Sequence, residues 1–172
     1  MDEKTALITG AGTGIGKATS LALARKGYVV FVTGILETEC REVVDEITRG
    51  GGKAFFRRLD VRQTDETNAV VADIEAEFGA VDTLVANAGI AVSAPLHQMT
   101  DSNWDLMLDI DLKGVFRAAR AVSPMMRKRR AGAIVAVSSI SGMSYGWAEH
   151  VHYCSAKSGL LGLVRALAAE LE

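Results

Sequence analysis

Between residues 9 and 16 the chain reads Thr9-Gly10-Ala11-Gly12-Thr13-Gly14-Ile15-Gly16. A short apolar run, Ala6-Leu7-Ile8, precedes this segment. Apolar residues at helical spacing follow it from Ile15 to Lys26, with Gly27 as the stop. A chain of this pattern turns sharply from a buried strand into a helix. Glycine permits both the turn and a close approach of ligand to backbone, because it has no Cβ. The helix N-terminus adds free N–H groups and a positive dipole end, which suit a pyrophosphate. A nucleoside-triphosphate loop is a poor match. It needs a glycine five residues before the Gly-Lys pair and a hydroxyl after it. Here those positions hold Ala11 and Ala18.

Strand-like and helix-like stretches alternate along the rest of the chain. Tyr28 to Val32 is rich in β-formers, Glu37 to Arg49 reads as a helix, and Ala54-Phe55-Phe56 opens a third strand that ends near Asp60. Thr64 to Phe78 reads as a helix with Thr64 as N-cap and Gly79 behind it. Val81 to Ala86 is a fourth strand, and Ala133 to Val137 a fifth. Asp101 to about Arg129 is a long helical region that Pro124 is expected to bend or interrupt. A last helix runs from near His152 to the end. Five strands alternating with helices predict an α/β fold. This is a Rossmann-like, doubly wound parallel sheet of order 3-2-1-4-5, with helices on both faces. The 172 residues suit a single domain, residues 1–172, that binds a dinucleotide.

Composition narrows the function classes. The formal charge of -2 gives no reason to expect a nucleic-acid or membrane partner. The basic run Arg127-Lys128-Arg129-Arg130 reads as a solvated helix end. Cys40 and Cys154 show no metal or redox spacing and read as free thiols. There is no signal-peptide character, and no apolar run reaches membrane-spanning length. A cytoplasmic protein is the expectation.

In such a sheet the ligand lies across the carboxyl ends of the strands. After the third strand come Asp60 and Val61; the carboxylate suits an adenine amino group or the cap of the next helix. After the fourth come Asn87-Ala88-Gly89, small enough for a ring or ribose to lie on the backbone, with Asn87 bracing the strand end. Ser138-Ser139 follows the fifth. The second strand ends in Thr33-Gly34-Ile35, with neither the acid that selects NAD nor the arginine that accepts NADP. Glu37 lies too far along, and Lys17 could meet an added phosphate or face solvent. The cofactor choice between NAD and NADP stays open.

Tyr153 and Lys157 are four residues apart in a helical segment and share a face. A phenol is ordinarily too weak an acid to exchange protons readily near neutrality. An ammonium within a few ångströms favours the phenolate and makes the pair a general acid/base. Ser139, at the top of the neighbouring strand, can donate to a substrate oxygen as charge develops. His150 and His152 have no metal-ligand spacing and read as substrate-pocket or surface residues. His97 reads as a loop residue, and Trp104, Met107 and Leu108 as core.

The joint occurrence of Thr9-Gly10…Gly14-Ile15-Gly16, Asn87-Ala88-Gly89, Ser139 and Tyr153-Cys154-Ser155-Ala156-Lys157 resembles the short-chain dehydrogenase/reductase family, from Thr5 to Glu172. The resemblance implies that Gly10, Thr13, Gly14, Ile15, Gly16, Asp60, Val61, Asn87, Ala88, Gly89, Tyr153 and Lys157 hold the cofactor. It also implies Ser139, Tyr153, Lys157 and the residue at 111 as catalytic, with a homodimer or homotetramer formed through the long helices. Two departures stand out. The family's asparagine in the fourth helix is Asp111 here, within Asp109-Ile110-Asp111-Leu112-Lys113-Gly114. Family members also continue past the helix that bears Tyr153, so the C-terminal strands of the family are missing; the expectation is a tail beyond Glu172, and the alternative is a truncated product. The reading is an NAD(P)-dependent oxidoreductase that interconverts a secondary alcohol and a ketone. Its rivals are a dinucleotide-binding module without catalysis, acting as sensor or inactive subunit, and a scaffold that binds no nucleotide.

Overall fold

The computed structural model describes residues 3–171. Five strands, β1 (Thr5–Ile8), β2 (Val29–Gly34), β3 (Lys53–Arg58), β4 (Thr83–Ala86) and β5 (Ala133–Ala136), form one sheet in the order β3-β2-β1-β4-β5. Every pairing is parallel, with Leu7 beside both Phe31 and Leu84. The helices are α1 (Gly14–Arg25), α2 (Glu37–Arg49), α3 (Thr64–Phe78), α4 (Asp101–Leu108), α5 (Gly114–Arg129) and α6 (Val151–Leu171).

Alternation along the strands explains the layers. Ala6, Ile8, Val30 and Val32 point to one face, where they pack with Cys40, Val43 and Ile47 of α2 and with Leu21 and Ala24 of α1. Leu7, Val29, Phe31 and Leu84 point to the other, against Val70 and Ile74 of α3, Ala118 and Val122 of α5, and Leu160 of α6. Phe31, Phe55 and Phe78 lock β2, β3 and α3 together, with centroids 5.3–5.7 Å apart. Strands buried on both faces read as unbroken apolar runs, as β1 and β2 do.

Several local expectations are corrected. Pro124 does not interrupt its helix, since α5 runs unbroken through it. The break lies upstream, at a π-helical segment, Asp109–Lys113. There the buried Arg117 donates to the Asp109 carbonyl at 3.2 Å and to its carboxylate at 2.7 Å. Asp111, within the same widened turn, is fully buried. Thr64 is the first residue of α3 rather than its cap; Gln63 holds the N-cap position without a side-chain bond. The Thr64 hydroxyl instead accepts from Arg117 Nε at 3.3 Å. Strand β4 starts at Thr83 rather than Val81, and the carboxylate of Asp82 just before it accepts the Thr5 N–H at 2.8 Å. Trp104 is not core but 36% exposed, whereas Met107, on the inner side of α4, is buried.

Candidate active site

The ends of β1 and β4 are tied by a small hydrogen-bond knot. The Thr9 hydroxyl oxygen accepts the N–H groups of Asn87 and Ala88, each at 3.0 Å. The Asn87 amide returns to the carbonyls of Thr9 and Gly10, both at 3.0 Å. Asn87 therefore braces the glycine loop against the fourth strand. Gly16 lies against this knot: a Cβ there would collide with the Gly10 carbonyl oxygen and come within 2.7 Å of Asn87 Nδ2. Thr13 occupies the N-cap of α1 with no side-chain cap bond, and the first turn holds no acid. The dipole end of α1 is thus left unserved by the protein's own side chains. Its Ile15 is 62% exposed beside it. Unserved N–H groups behind a glycine-rich loop fit a pyrophosphate.

At the end of β3 the carboxylate of Asp60 has a protein partner. Arg62 gives it a backbone N–H at 3.0 Å, Nε at 3.0 and 3.1 Å and Nη2 at 2.6 Å. These bonds hold the Asp60 carboxyl below its ordinary value. Asp60 is also not the cap of α3. Val61 is buried with its carbonyl on Arg117 Nη1 at 3.2 Å.

Tyr153 and Lys157 lie on α6, and the structure puts the Lys157 ammonium 5.6 Å from the Tyr153 ring centroid. Lys157 is nearly closed from solvent. Its Nζ donates to the Val137 carbonyl at 3.0 Å and lies 3.1 Å from Asp111 Oδ2. Asp111 is fully buried and accepts the Ile90 N–H on Oδ1 at 2.9 Å. Burial pushes its carboxyl up from the ordinary value, against the opposing pull of Ile90 and Lys157. Room for this pair comes from Gly89, whose Cβ would sit 2.8 Å from Asp111 Oδ2 and 3.3 Å from Lys157 Nζ. The Ser138 hydroxyl donates to the Lys157 carbonyl at 2.8 Å, fastening the tip of β5 to α6. Ser139 caps a short 3-10 turn, Ile140–Gly142, and its hydroxyl oxygen accepts the Ser141 N–H at 3.2 Å. That turn lies on α6 at Lys157 and Ser158, where a Cβ on Gly142 would meet backbone at 2.5–2.6 Å. Ser139 and Lys157 are so brought to one end of the sheet. Among the described residues the Tyr153 hydroxyl makes no hydrogen bond.

Four residues were missed or misplaced in the sequence. His150 and His152 are not surface residues but 6% and 1% exposed, and His152 Nδ1 accepts the Tyr153 N–H at 3.0 Å. The His152 pKa is lowered by burial and by the neighbouring His150. Arg62 and Arg117 gave no signal at all, since their partners are fixed only by the fold. Lys17 is paired with Glu46 at 2.8 Å. Among the described residues no His, Cys, Asp and Glu are grouped to hold a metal, and no helix is long and apolar enough to cross a membrane.

A glycine loop at a parallel-sheet crevice, with a Tyr-Lys pair on its rim, defines a nicotinamide-dinucleotide-dependent oxidoreductase domain. Comparison with known proteins agrees. The family model "short chain dehydrogenase" matches residues 4–172. The chain is 38% identical over 169 residues to the 3-oxoacyl-[acyl-carrier-protein] reductase FabG of Staphylococcus aureus, covering 98% of this chain and 68% of that one. It is also 38% identical over 171 residues to FabG of Thermotoga maritima, covering 99% and 69%. A metagenomic short-chain oxidoreductase solved with NADP superposes with a TM-score of 0.94 at 34% identity, covering 98% of this chain and 76% of that one. An actinorhodin polyketide ketoreductase solved with NADPH does so at 0.94 and 34%, covering 99% and 66%. The chain belongs to the short-chain dehydrogenase family.

Proposed function

We propose that the chain interconverts a ketone and a secondary alcohol, with Tyr153 as proton donor and acceptor and NADP(H) as the preferred dinucleotide. The observation that carries this is the placement of Lys157. A hydrogen bond to the Val137 carbonyl and an ion pair with Asp111 hold its ammonium beside the Tyr153 ring.

A bound reduced dinucleotide would supply the hydride that the carbonyl carbon takes up, being oxidised in exchange. Tyr153 gives its phenolic proton to the carbonyl oxygen, which completes the alcohol. The Lys157 charge stabilises the phenolate left behind. Its third N–H would be left to hold a ribose hydroxyl of the bound dinucleotide. The Ser139 proton is free to orient the carbonyl oxygen, because the bond from the Ser141 N–H uses the hydroxyl oxygen only. Gly10, Thr13, Gly14, Ile15 and Gly16 would hold the pyrophosphate, and Ala88 and Gly89 the ribose side. An adenine amino group would share Asp60 with Arg62.

Support for NADP(H) comes from the two solved relatives at 34% identity that contain NADP and NADPH. Thr33-Gly34-Ile35 offers no acid to repel a 2′-phosphate. The 3-oxoacyl reductase names of the 38% relatives support the ketone-reducing direction. Exposed Trp104, Leu106 and Phe116 on α4 and α5 support assembly into a homodimer or homotetramer. The free thiols Cys40 and Cys154 support a reducing, cytoplasmic setting.

A second reading, binding without turnover, is favoured by one observation: Asp111 neutralises the charge that Lys157 would lend to Tyr153. The test is titration of the chain with NADPH and NADH by nicotinamide fluorescence, followed by ketone-dependent loss of nicotinamide absorbance. Tighter NADPH binding with turnover supports the proposal. Binding without turnover across a broad ketone panel supports the second reading, and no binding defeats both.

A further inference from the structure

The turn that leads into α6 carries an aromatic arrangement that the proton chemistry does not use. The indole of Trp147 lies flat on the imidazole of His150, with centroids 3.6 Å apart and planes 6° from parallel. Its edge meets the Tyr153 ring at 5.7 Å and 87°. His150 is 6% exposed and makes a 2.8 Å bond between Nδ1 and the Ala148 carbonyl, so the stack rests on a buried base. Trp147 is nevertheless 47% exposed. One indole face is covered and the opposite face is open beside Tyr153.

The turn is held rigid. Glu149 adopts a left-handed backbone with φ 62°, a conformation that non-glycine residues keep only where neighbours enforce it. The enforcing groups come from the loop after β4. Ala94 N–H donates to the Glu149 carbonyl at 2.8 Å, and the Ser93 hydroxyl donates to its carboxylate. The two loops that follow β4 and β5 are therefore joined at Glu149, two residues after Trp147. A rigid, half-open indole loses little freedom when a flat group stacks on it.

We propose that the open face of Trp147 is a wall of the substrate pocket and selects carbonyl compounds with an aromatic ring next to the carbonyl. The proposal rests on Tyr153 as the proton donor, which places the carbonyl beside it. A flat ring gains stacking there, whereas a flexible acyl chain loses rotor freedom against the same surface. From Met143 to Val151 the one formally charged residue is the acidic Glu149, so an acidic carrier finds no lysine or arginine on this stretch.

The test uses acetophenone and cyclohexyl methyl ketone, which match in size and differ in flatness. The ratio of their kcat/KM values is measured for the wild-type chain, Trp147→Phe and Trp147→Ala. Comparing ratios removes the intrinsic reactivity of each ketone. The expected result is a fall of about tenfold in the acetophenone-to-cyclohexyl ratio for Trp147→Ala, carried by KM, and a smaller fall for Trp147→Phe. NADPH affinity stays within about twofold. An unchanged ratio in Trp147→Ala overturns the proposal, as does a wild-type preference for a 3-oxoacyl thioester over acetophenone. The chain holds two tryptophans, Trp104 and Trp147, so the indole N–H resonance of Trp147 gives a second readout. Acetophenone is expected to shift it and cyclohexyl methyl ketone to leave it in place. If neither ketone turns over, the proton-donor reading fails, and this resonance still decides the stacking: no shift with acetophenone overturns it.

Discussion

The ammonium of Lys157 and the carboxylate of Asp111 stand 3.1 Å apart with side-chain exposures of 6% and 0%. A buried ion pair of this kind costs desolvation on both sides and holds only while both partners and their other bonds remain. Ile90 N–H supplies that bond for Asp111 and the Val137 carbonyl for Lys157. The pair joins the π-helical segment to α6, so the same contact that orients Lys157 also contributes to the fold.

Removing the carboxylate altogether leaves a buried ammonium alone. Asp111→Leu is expected to cost about 3–5 kcal/mol. Asp111→Asn costs less, because an amide oxygen still accepts the Ile90 N–H and the carboxylate desolvation disappears. The pH dependence has a definite sign. Burial raises the folded-state pKa of Asp111, so its contribution is complete below the unfolded value, about 3.9, and is lost as pH rises through the folded value. The stability of wild type minus that of Asp111→Asn should therefore fall from about pH 4 toward neutrality. Urea midpoints across that range check it; a difference that grows with pH contradicts it.

His152 should stay neutral to lower pH than an ordinary histidine. Its buried ring accepts the Tyr153 N–H through Nδ1, which requires that nitrogen to be bare. Burial and His150 hold its pKa below the ordinary histidine value. The linked stability is complete above about pH 6.5 and declines as pH falls through the folded value. Imidazole resonances followed by NMR should show His152 titrating below the ordinary value. A midpoint at or above that value would refute the buried, accepting role.

The glycine loop separates packing from backbone strain. Gly16→Ala pushes a methyl into the Gly10 carbonyl and Asn87 amide, and overpacking of this kind costs about 1–3 kcal/mol. Gly14 has φ 52° but nothing within 4 Å of an added Cβ. Gly14→Ala should cost only the left-handed penalty, about 1–2 kcal/mol. NADPH affinity should fall further for Gly16→Ala, since its clash displaces the loop. Thermal midpoints and fluorescence titration check both; equal losses of affinity would contradict the separate roles.

The sheet was legible because buried parallel strands must be unbroken apolar runs, and Leu7, Phe31 and Leu84 obey that rule. The strand order followed from crossover handedness and chain order. The candidate site was legible where spacing within one element fixes geometry, as with Tyr153 and Lys157, or where glycine marks a close approach, as at Gly16. What escaped depends on contacts far apart in sequence. The break at Asp109–Lys113 is held by Arg117, while Pro124, the more obvious breaker, sits in an intact helix. Likewise the pairing of Asp60 with Arg62 and the burial of His152 have no periodic signature. Trp104 shares the helical spacing of Met107 yet faces outward, because helical spacing identifies a stripe but not its width.

The central claim is that Tyr153 moves the proton while the crevice binds the dinucleotide independently of it. The most direct measurement is Tyr153→Phe, assayed for ketone reduction and for NADPH binding by nicotinamide fluorescence. The phenyl ring keeps its edge contact with Trp147 and loses only the hydroxyl. The account predicts a loss of turnover of at least about a hundredfold, with NADPH affinity within about twofold of wild type. Turnover retained in this variant, or NADPH binding lost along with it, contradicts the account.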